Sequence, residues 1–257
     1  MFLDAEAHTA YEFANARIKE FPFPHFYLKD VFPAHFYQKI QNNLPSTSEL
    51  WPIEEKRPVK GYKERFVCCF DNDSLSTLSS DKSIFWKEFR DTYLRGAFGS
   101  LLMSKFHELI SARFNGSADL EFYDELLLVH DVKNYNLGPH TDSPRKVITV
   151  LFYLPADENH QSLGTSVYFP NDPSFRCPGG PHHRHEDFLR VKTMPYTPNS
   201  VFCFFKTDNS FHGVEKLTED GYGRWLLLYD IYVKNPHPKP SVDTAVGGKN
   251  GSVKFSF

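Results

Sequence analysis

Basic charge is not in surplus in this sequence: 29 lysines and arginines face 32 aspartates and glutamates, for a net charge of −3 and a pI near 6.5. That balance provides no field for nucleic acid or an anionic membrane, so a small-molecule or peptide partner is expected. The opening stretch MFLDAEAHTAYEFANARIKEF lacks a long apolar run and carries Asp4 and Glu6 among its first six residues. It therefore predicts neither a secretory signal nor a membrane anchor, and points to the cytoplasm. Cysteine is sparse as well. Cys68, Cys69, Cys177 and Cys203 form no CxxC or zinc-finger spacing, and the adjacent pair could close only a strained ring. Reduced thiols in a cytosolic protein follow. No internal repeat and no break in composition marks a second domain.

Aromatic residues, by contrast, are plentiful: 25 Phe and 13 Tyr bring the aromatic share to 16%. This favours stiff strands packed face to face over a Leu- and Ala-rich bundle. The early chain reads as helical, with apolar spacing in AHTAYEFANARIKEF, AHFYQKIQNNLP, KSIFWKEFRDTYLRGAF and GSLLMSKFHELISARFNG, the last capped by Gly116. FPFPHFYLKDVFP is too rich in proline for helix and suits an extended segment, and RFVCCF is a plausible strand. After Gly116 the period drops to about two in LEFYDELLLVHDV, VITVLFYLP, TSVYFP, DFLRVKTM, SVFCFF and RWLLLYDIYV. Six such runs separated by turn residues predict a sandwich or barrel with the helices outside, and the rings of SVFCFF as core. From Asn235 the Pro-, Gly- and Ser-rich tail is expected to run over the surface or be partly disordered.

The chemistry concentrates around NYNLGPHTDSPRKVITVLFYLP. Taken alone, His140 and Asp142 favour an Asx-type turn before a strand. With 12 histidines a chance match is expected, and His185-Glu186-Asp187 repeats the spelling. Context separates the two. His212 lies 72 residues past His140, an interval holding several strands, whereas it lies only 25 past Asp187. Residues i and i+2 of an extended segment share a side, so His140 and Asp142 can form a two-ligand clip, with His212 arriving between SVFCFF and RWLLLYDIYV. Two neutral imidazoles and one carboxylate are the donor set of an open Fe(II) centre for oxygen chemistry. Arg224, 12 residues beyond His212 in an otherwise apolar run, offers a fork for a ligand carboxylate. The histidines His182, His183 and His185 read as a solvated loop in a long insertion near the mouth, with a second metal site the alternative. Arg145 and Lys146 read as a charged turn, with selection of an acidic substrate the alternative.

PHTDSPRKVITVLFYLP, GTSVYFP, PNSVFCFFKTDNSFHGVE and GRWLLLYDIY together resemble the Fe(II)- and 2-oxoglutarate-dependent dioxygenases, in particular their prolyl-hydroxylase-like branch. The resemblance spans roughly residues 120–234, and FPFPHFYLKDVFPAHFYQKIQNNLP looks, less specifically, like the lead-in of such enzymes. It implies a mainly β fold with N-terminal helices and a double-stranded β-helix core, jelly-roll and cupin-like. The single oxygenase domain would comprise helical support and lead-in over 1–116, the core over 117–234 and a surface tail over 235–257. His140, Asp142 and His212 would be the iron ligands. Arg224 would pair with the far carboxylate of 2-oxoglutarate, Tyr153 would donate to it, and Thr149 and Leu151 share strand parity with Tyr153. Tyr135 is a further pocket candidate. The interval from His212 to Arg224 is longer than in many relatives. The implied reaction is hydroxylation of an unactivated C–H bond of a small-molecule or amino-acid-like substrate, consuming O2 and releasing succinate and CO2. Asp142 favours hydroxylation, because halogenating relatives carry a small residue in its place. The alternatives are a prolyl or other residue hydroxylase acting on a protein, a cupin-like metalloenzyme that does not use 2-oxoglutarate, and an inert jelly-roll binding module. No motif names the substrate.

Overall fold

The computed structural model describes residues 1–117 and 119–235. The expected surface tail therefore lies outside the described residues, apart from Asn235. Helices dominate the early chain: α1 (Phe2–Asn15), α2 (Ala34–Asn42), α3 (Ile53–Lys56), α4 (Asn72–Ser76), α5 (Ser80–Arg95), α6 (Phe98–Lys105) and α7 (His107–Arg113). In α1 the buried residues Phe2, Ala5, Glu6, Thr9 and Phe13 form one stripe at helical spacing. This helix begins ahead of the expected start at Ala7 and stops short of Phe21. Pro22 and Pro24 cannot continue it, and Lys19 and His25 instead exchange backbone hydrogen bonds of 2.7 and 2.9 Å. The segment read as one helix over 99–116 is two, α6 and α7. They join at buried Phe106, whose ring packs on Phe26 and Phe205 at 6.2 and 5.9 Å. Gly116, at φ +65, ends the second, its N–H reaching the Ser111 carbonyl at 2.9 Å.

Eleven strands are assigned among the described residues: β1 (His25–Lys29), β2 (Trp51–Pro52), β3 (Arg65–Cys68), β4 (Phe122–Asp131), β5 (Leu137–His140), β6 (Lys146–Tyr153), β7 (Ser166–Pro170), β8 (Phe188–Thr193), β9 (Ser200–Phe205), β10 (His212–Val214) and β11 (Arg224–Val233). One sheet has the order β1-β9-β6-β11-β4-β3-β2 and the other β5-β10-β7-β8. From β4 onward the chain passes back and forth between the two, which is the jelly-roll winding of a double-stranded β-helix. The first 116 residues supply strands as well as helices: β1 extends the large sheet beside β9, and β3 and β2 extend it beyond β4.

Both faces of the large sheet are covered. Val150, Phe152, Val201, Cys203, Phe205, Leu227 and Tyr229 pack toward the helices, while Leu151, Tyr153, Phe202, Phe204, Leu226 and Leu228 pack toward the small sheet. An antiparallel strand normally alternates apolar and polar residues, but double coverage turns β6, β9 and β11 into near-continuous apolar runs. All six strand-like runs form strands. The short β5 and β10, which carry His140 and His212, do not stand out in the sequence.

Candidate metal centre and pocket

The two short strands of the small sheet make the site. β10 pairs antiparallel with β5 so that His212 stands opposite His140. Asp142 follows β5 by two residues, at the start of the turn into β6. Ligand atoms of the three side chains lie within 4.8 Å of one another, and no other group of three or more His, Cys, Asp or Glu converges this way among the described residues. The Nε2 atoms of His140 and His212 are 4.0 and 3.8 Å from the two Asp142 oxygens. Their Nδ1 atoms lie 3.0 and 2.9 Å from the Gly138 and Ser210 carbonyls. A carbonyl only accepts, so Nδ1 carries the proton and each Nε2 lone pair points into the cluster.

Electrostatics keep the donors in their metal-binding forms. Burial pushes the His140 pKa down to about 3, reinforced by His212, and burial lowers His212 as well. Burial opposes ionisation of Asp142, but Lys146, the two imidazoles and the Thr149 hydroxyl outweigh it and hold the carboxylate below its usual range. Lys146 Nζ sits 3.5 Å from Asp142 Oδ1 and 3.0 Å from Asp230 Oδ2, and Thr149 Oγ1 donates to Asp142 Oδ2 at 3.0 Å. Two neutral imidazoles and an ionised carboxylate, all presented from one side, suit a divalent first-row metal such as Fe(II).

The cluster lies on a cavity of about 220 Å³ lined further by Thr149, Leu151, Leu226, Arg65 and Arg224. Arg224 is 1% exposed; its Nε donates to the Leu163 carbonyl at 2.6 Å, Nη1 to Asp131 at 2.9 Å and Nη2 to Thr165 Oγ1 at 3.2 Å. Tyr153 shares the face of Thr149 and Leu151 but sits behind the cavity wall. Its ring lies 5.9 Å from the Arg224 guanidinium, and its hydroxyl accepts the Thr165 N–H at 3.1 Å. Tyr135 is also behind the wall, its ring 4.3 Å under the Arg65 guanidinium and its hydroxyl without a partner among the described residues. Arg145 turns away to the Tyr123 hydroxyl at 2.7 Å, whereas its neighbour Lys146 lines the cavity.

The histidine-rich loop divides. His185, Glu186 and Asp187 form an exposed helical turn, in keeping with a solvated loop. His182 is exposed too, in keeping with a loop near the mouth, and lines the cavity there, its ring 4.8 Å from that of His140 and its Nε2 3.1 Å from the Tyr62 hydroxyl; His183 departs from the solvated reading, its ring packed on Phe175, Phe188 and Phe211. The backbone places His182 at the mouth, because His183 N–H donates to the Pro139 carbonyl in β5 at 2.8 Å. Arg65 and Asp131 are absent from the sequence reading. The signal that singled out Arg224, a charge inside a strand-like run, is present at Arg65 in RFVCCF and at Asp131 in ELLLVHDV.

No model of a known protein family matches this sequence, and no curated protein matches it. Several solved structures are similar at low identity. A prolyl-4-hydroxylase from Pseudomonas putida gives a TM-score of 0.47 at 12% identity over 90% of this chain and 98% of that one. An oxidoreductase of the 2OG-Fe(II) oxygenase family from Burkholderia pseudomallei gives 0.44 at 12%, over 90% of each chain. A non-heme alpha-ketoglutarate-dependent carbocyclase of nogalamycin biosynthesis gives 0.48 at 12%, over 87% and 83%.

Proposed function

We propose that this protein is an Fe(II)- and 2-oxoglutarate-dependent dioxygenase that hydroxylates an unactivated C–H bond of a small-molecule or amino-acid-like substrate. The observation that carries this reading is the convergence of His140, Asp142 and His212 on a cavity that also presents Arg224. Iron with bound 2-oxoglutarate supplies oxidative decarboxylation to succinate and CO2, coupled to insertion of one oxygen atom from O2 into the substrate. His140 and His212 hold the metal through Nε2, and Asp142 through its carboxylate. Lys146 and Thr149 fix the orientation of that carboxylate. Arg224 has five N–H donors and uses three on protein acceptors, which leaves one on each Nη for the far carboxylate of the cosubstrate. Leu151, Leu226, Leu228 and Ile53 exclude water between the two ends.

A cavity of about 220 Å³ is smaller than the roughly 300–1,000 Å³ of a drug-sized ligand pocket. It suits a short dicarboxylate inside, with the substrate offering one edge at the mouth beside Tyr62 and His182. The same size limit accommodates a second reading, in which the edge is a residue side chain of a protein.

The test is anaerobic reconstitution with Fe(II), admission of O2, and measurement of succinate across a panel of small acids, amino acids and peptides. Succinate is expected to form from 2-oxoglutarate and to rise with the right substrate. Absence of both 2-oxoglutarate binding and turnover in the wild type would overturn the reading. Arg224→Ala is expected to weaken 2-oxoglutarate binding at least about tenfold, the loss of a charged hydrogen bond. Unchanged affinity would mean that another cation holds the cosubstrate.

A further inference from the structure

Arg65, Asp131 and Arg224 stand in one row across three neighbouring strands: in β3 and β11 alike the arginine is the register partner of Asp131 in β4. Asp131 is fully buried and takes hydrogen bonds from both sides. Arg65 Nε and Nη2 reach its two oxygens at 2.6 and 2.9 Å, and Arg224 Nη1 reaches it at 2.9 Å. Among the described residues Asp131 is the only carboxylate paired with either guanidinium. Two fixed positive charges thus share one negative charge, and the row carries a surplus of one. The Arg224 side chain is 1% exposed and that of Arg65 13%, so the surplus is largely withdrawn from water, and a charge so placed is costly unless an anion completes it. Both arginines line the cavity, and Arg65 Nη1 makes no hydrogen bond to the described residues. Stacking on Tyr135 at 4.3 Å holds the plane of the Arg65 fork.

We infer that Arg65, from a strand outside the eight-stranded core, is a second cosubstrate-binding residue. It and Arg224 form a clamp, bridged by Asp131, that takes one carboxylate at the end of the cavity away from the metal ligands. The inference rests on the proposed dioxygenase reading and makes a separate claim within it. One surplus charge matches one carboxylate, so the clamp selects a dicarboxylic 2-oxo acid over the monocarboxylic acid of the same chain length.

The experiment is calorimetric titration of the Mn(II)-loaded protein, without oxygen, with 2-oxoglutarate and with 2-oxovalerate, which replaces the far carboxylate by a methyl group. The wild type is expected to prefer 2-oxoglutarate at least tenfold. Arg65→Met is expected to lower 2-oxoglutarate affinity about tenfold and leave 2-oxovalerate affinity within twofold, so that the preference collapses. If Arg65→Met keeps the wild-type ratio, or weakens both acids equally, Arg65 does not contact the carboxylate and the inference is overturned while the dioxygenase reading stands. If the wild type binds both acids equally, the clamp is overturned; if it binds neither and forms no succinate, the dioxygenase reading falls as well. Should Arg65→Met not fold, Arg65→Gln carries the test: the neutral amide can still donate to Asp131 but brings no positive charge to the ligand carboxylate, so at least a threefold loss of the ratio is expected, and no loss overturns the inference.

Discussion

At the scale of single residues, the site works because burial decides protonation. With a pKa near 3 in the folded chain, His140 is neutral throughout the physiological range, and His212 is shifted in the same direction. A metal ion therefore displaces no proton from His140 between pH 6 and 8. In a titration series from pH 8 to 6 the apparent Mn(II) affinity is expected to fall less than it would for a pair of solvent-exposed histidines, because burial lowers both imidazoles; an equal fall would contradict this. Stability carries the opposite signature. In the unfolded chain His140 returns to about 6.5, so the unfolded state takes up protons first as pH falls. Its contribution is complete above pH 6.5 and is lost below it, by up to about 1.4 kcal/mol per pH unit. Urea denaturation of the metal-free wild type and of His140→Gln from pH 7.5 to 5 checks this: Asp230, raised to about 6 by burial, acts in the opposite direction below pH 6 in both proteins, so a wild-type slope no steeper than the variant's would contradict it.

At the scale of elements, the cluster of His140, Asp142 and His212 depends on two short strands staying in register. Gly213 follows His212 in β10, and a Cβ there would meet the Leu137 carbonyl of β5 at 2.3 Å and the Gly138 carbonyl at 3.0 Å. Backbone cannot give way as a side-chain tip can, so Gly213→Ala is expected to push β10 from β5 and draw His212 away from His140. Mn(II) affinity should fall at least about tenfold while far-UV circular dichroism remains that of a folded jelly roll, since the large sheet is untouched. Wild-type affinity in this variant would show that the strand pairing is not what sets the ligand spacing. The same shortness hid these strands from the sequence. Three or four residues hold too few repeats for a period of two to be visible, whereas the eight and ten residues of β6 and β11 stand out.

At the scale of the molecule, the large sheet separates stability from chemistry. Phe152 faces the helices, its ring 5.1 Å from Phe32, 5.9 Å from Phe13 and 6.2 Å from Phe98. Thr149 and Leu151, of opposite parity on the same strand, face the cavity. Phe152→Ala is expected to cost about 3–5 kcal/mol through lost burial and the hole left behind, a large share of a typical domain's stability. Thermal unfolding should report that loss, while metal and 2-oxoglutarate affinities of the folded protein stay within about twofold. A parallel fall in affinity would mean that the helical layer tunes the site through the sheet.

The order of chemical groups was legible in the sequence: a His-x-Asp pair at a strand start, a distant His before the last strand, and an Arg opening that strand. The core strands of the large sheet, β6, β9 and β11, were legible too, because burial on both faces writes itself as near-continuous apolar runs. Tertiary structure alone decided which side chains meet. Arg65 and Asp131 are 66 residues apart, Asp131 and Arg224 are 93, and nothing local links them; sheet register does. His182 is the same case, since a backbone hydrogen bond from its neighbour His183 to Pro139 carries this exposed histidine to the cavity mouth. Periodicity reports how each residue meets the inside and outside of its own element. The partner across the sheet is set by how the elements stack, which no local pattern encodes.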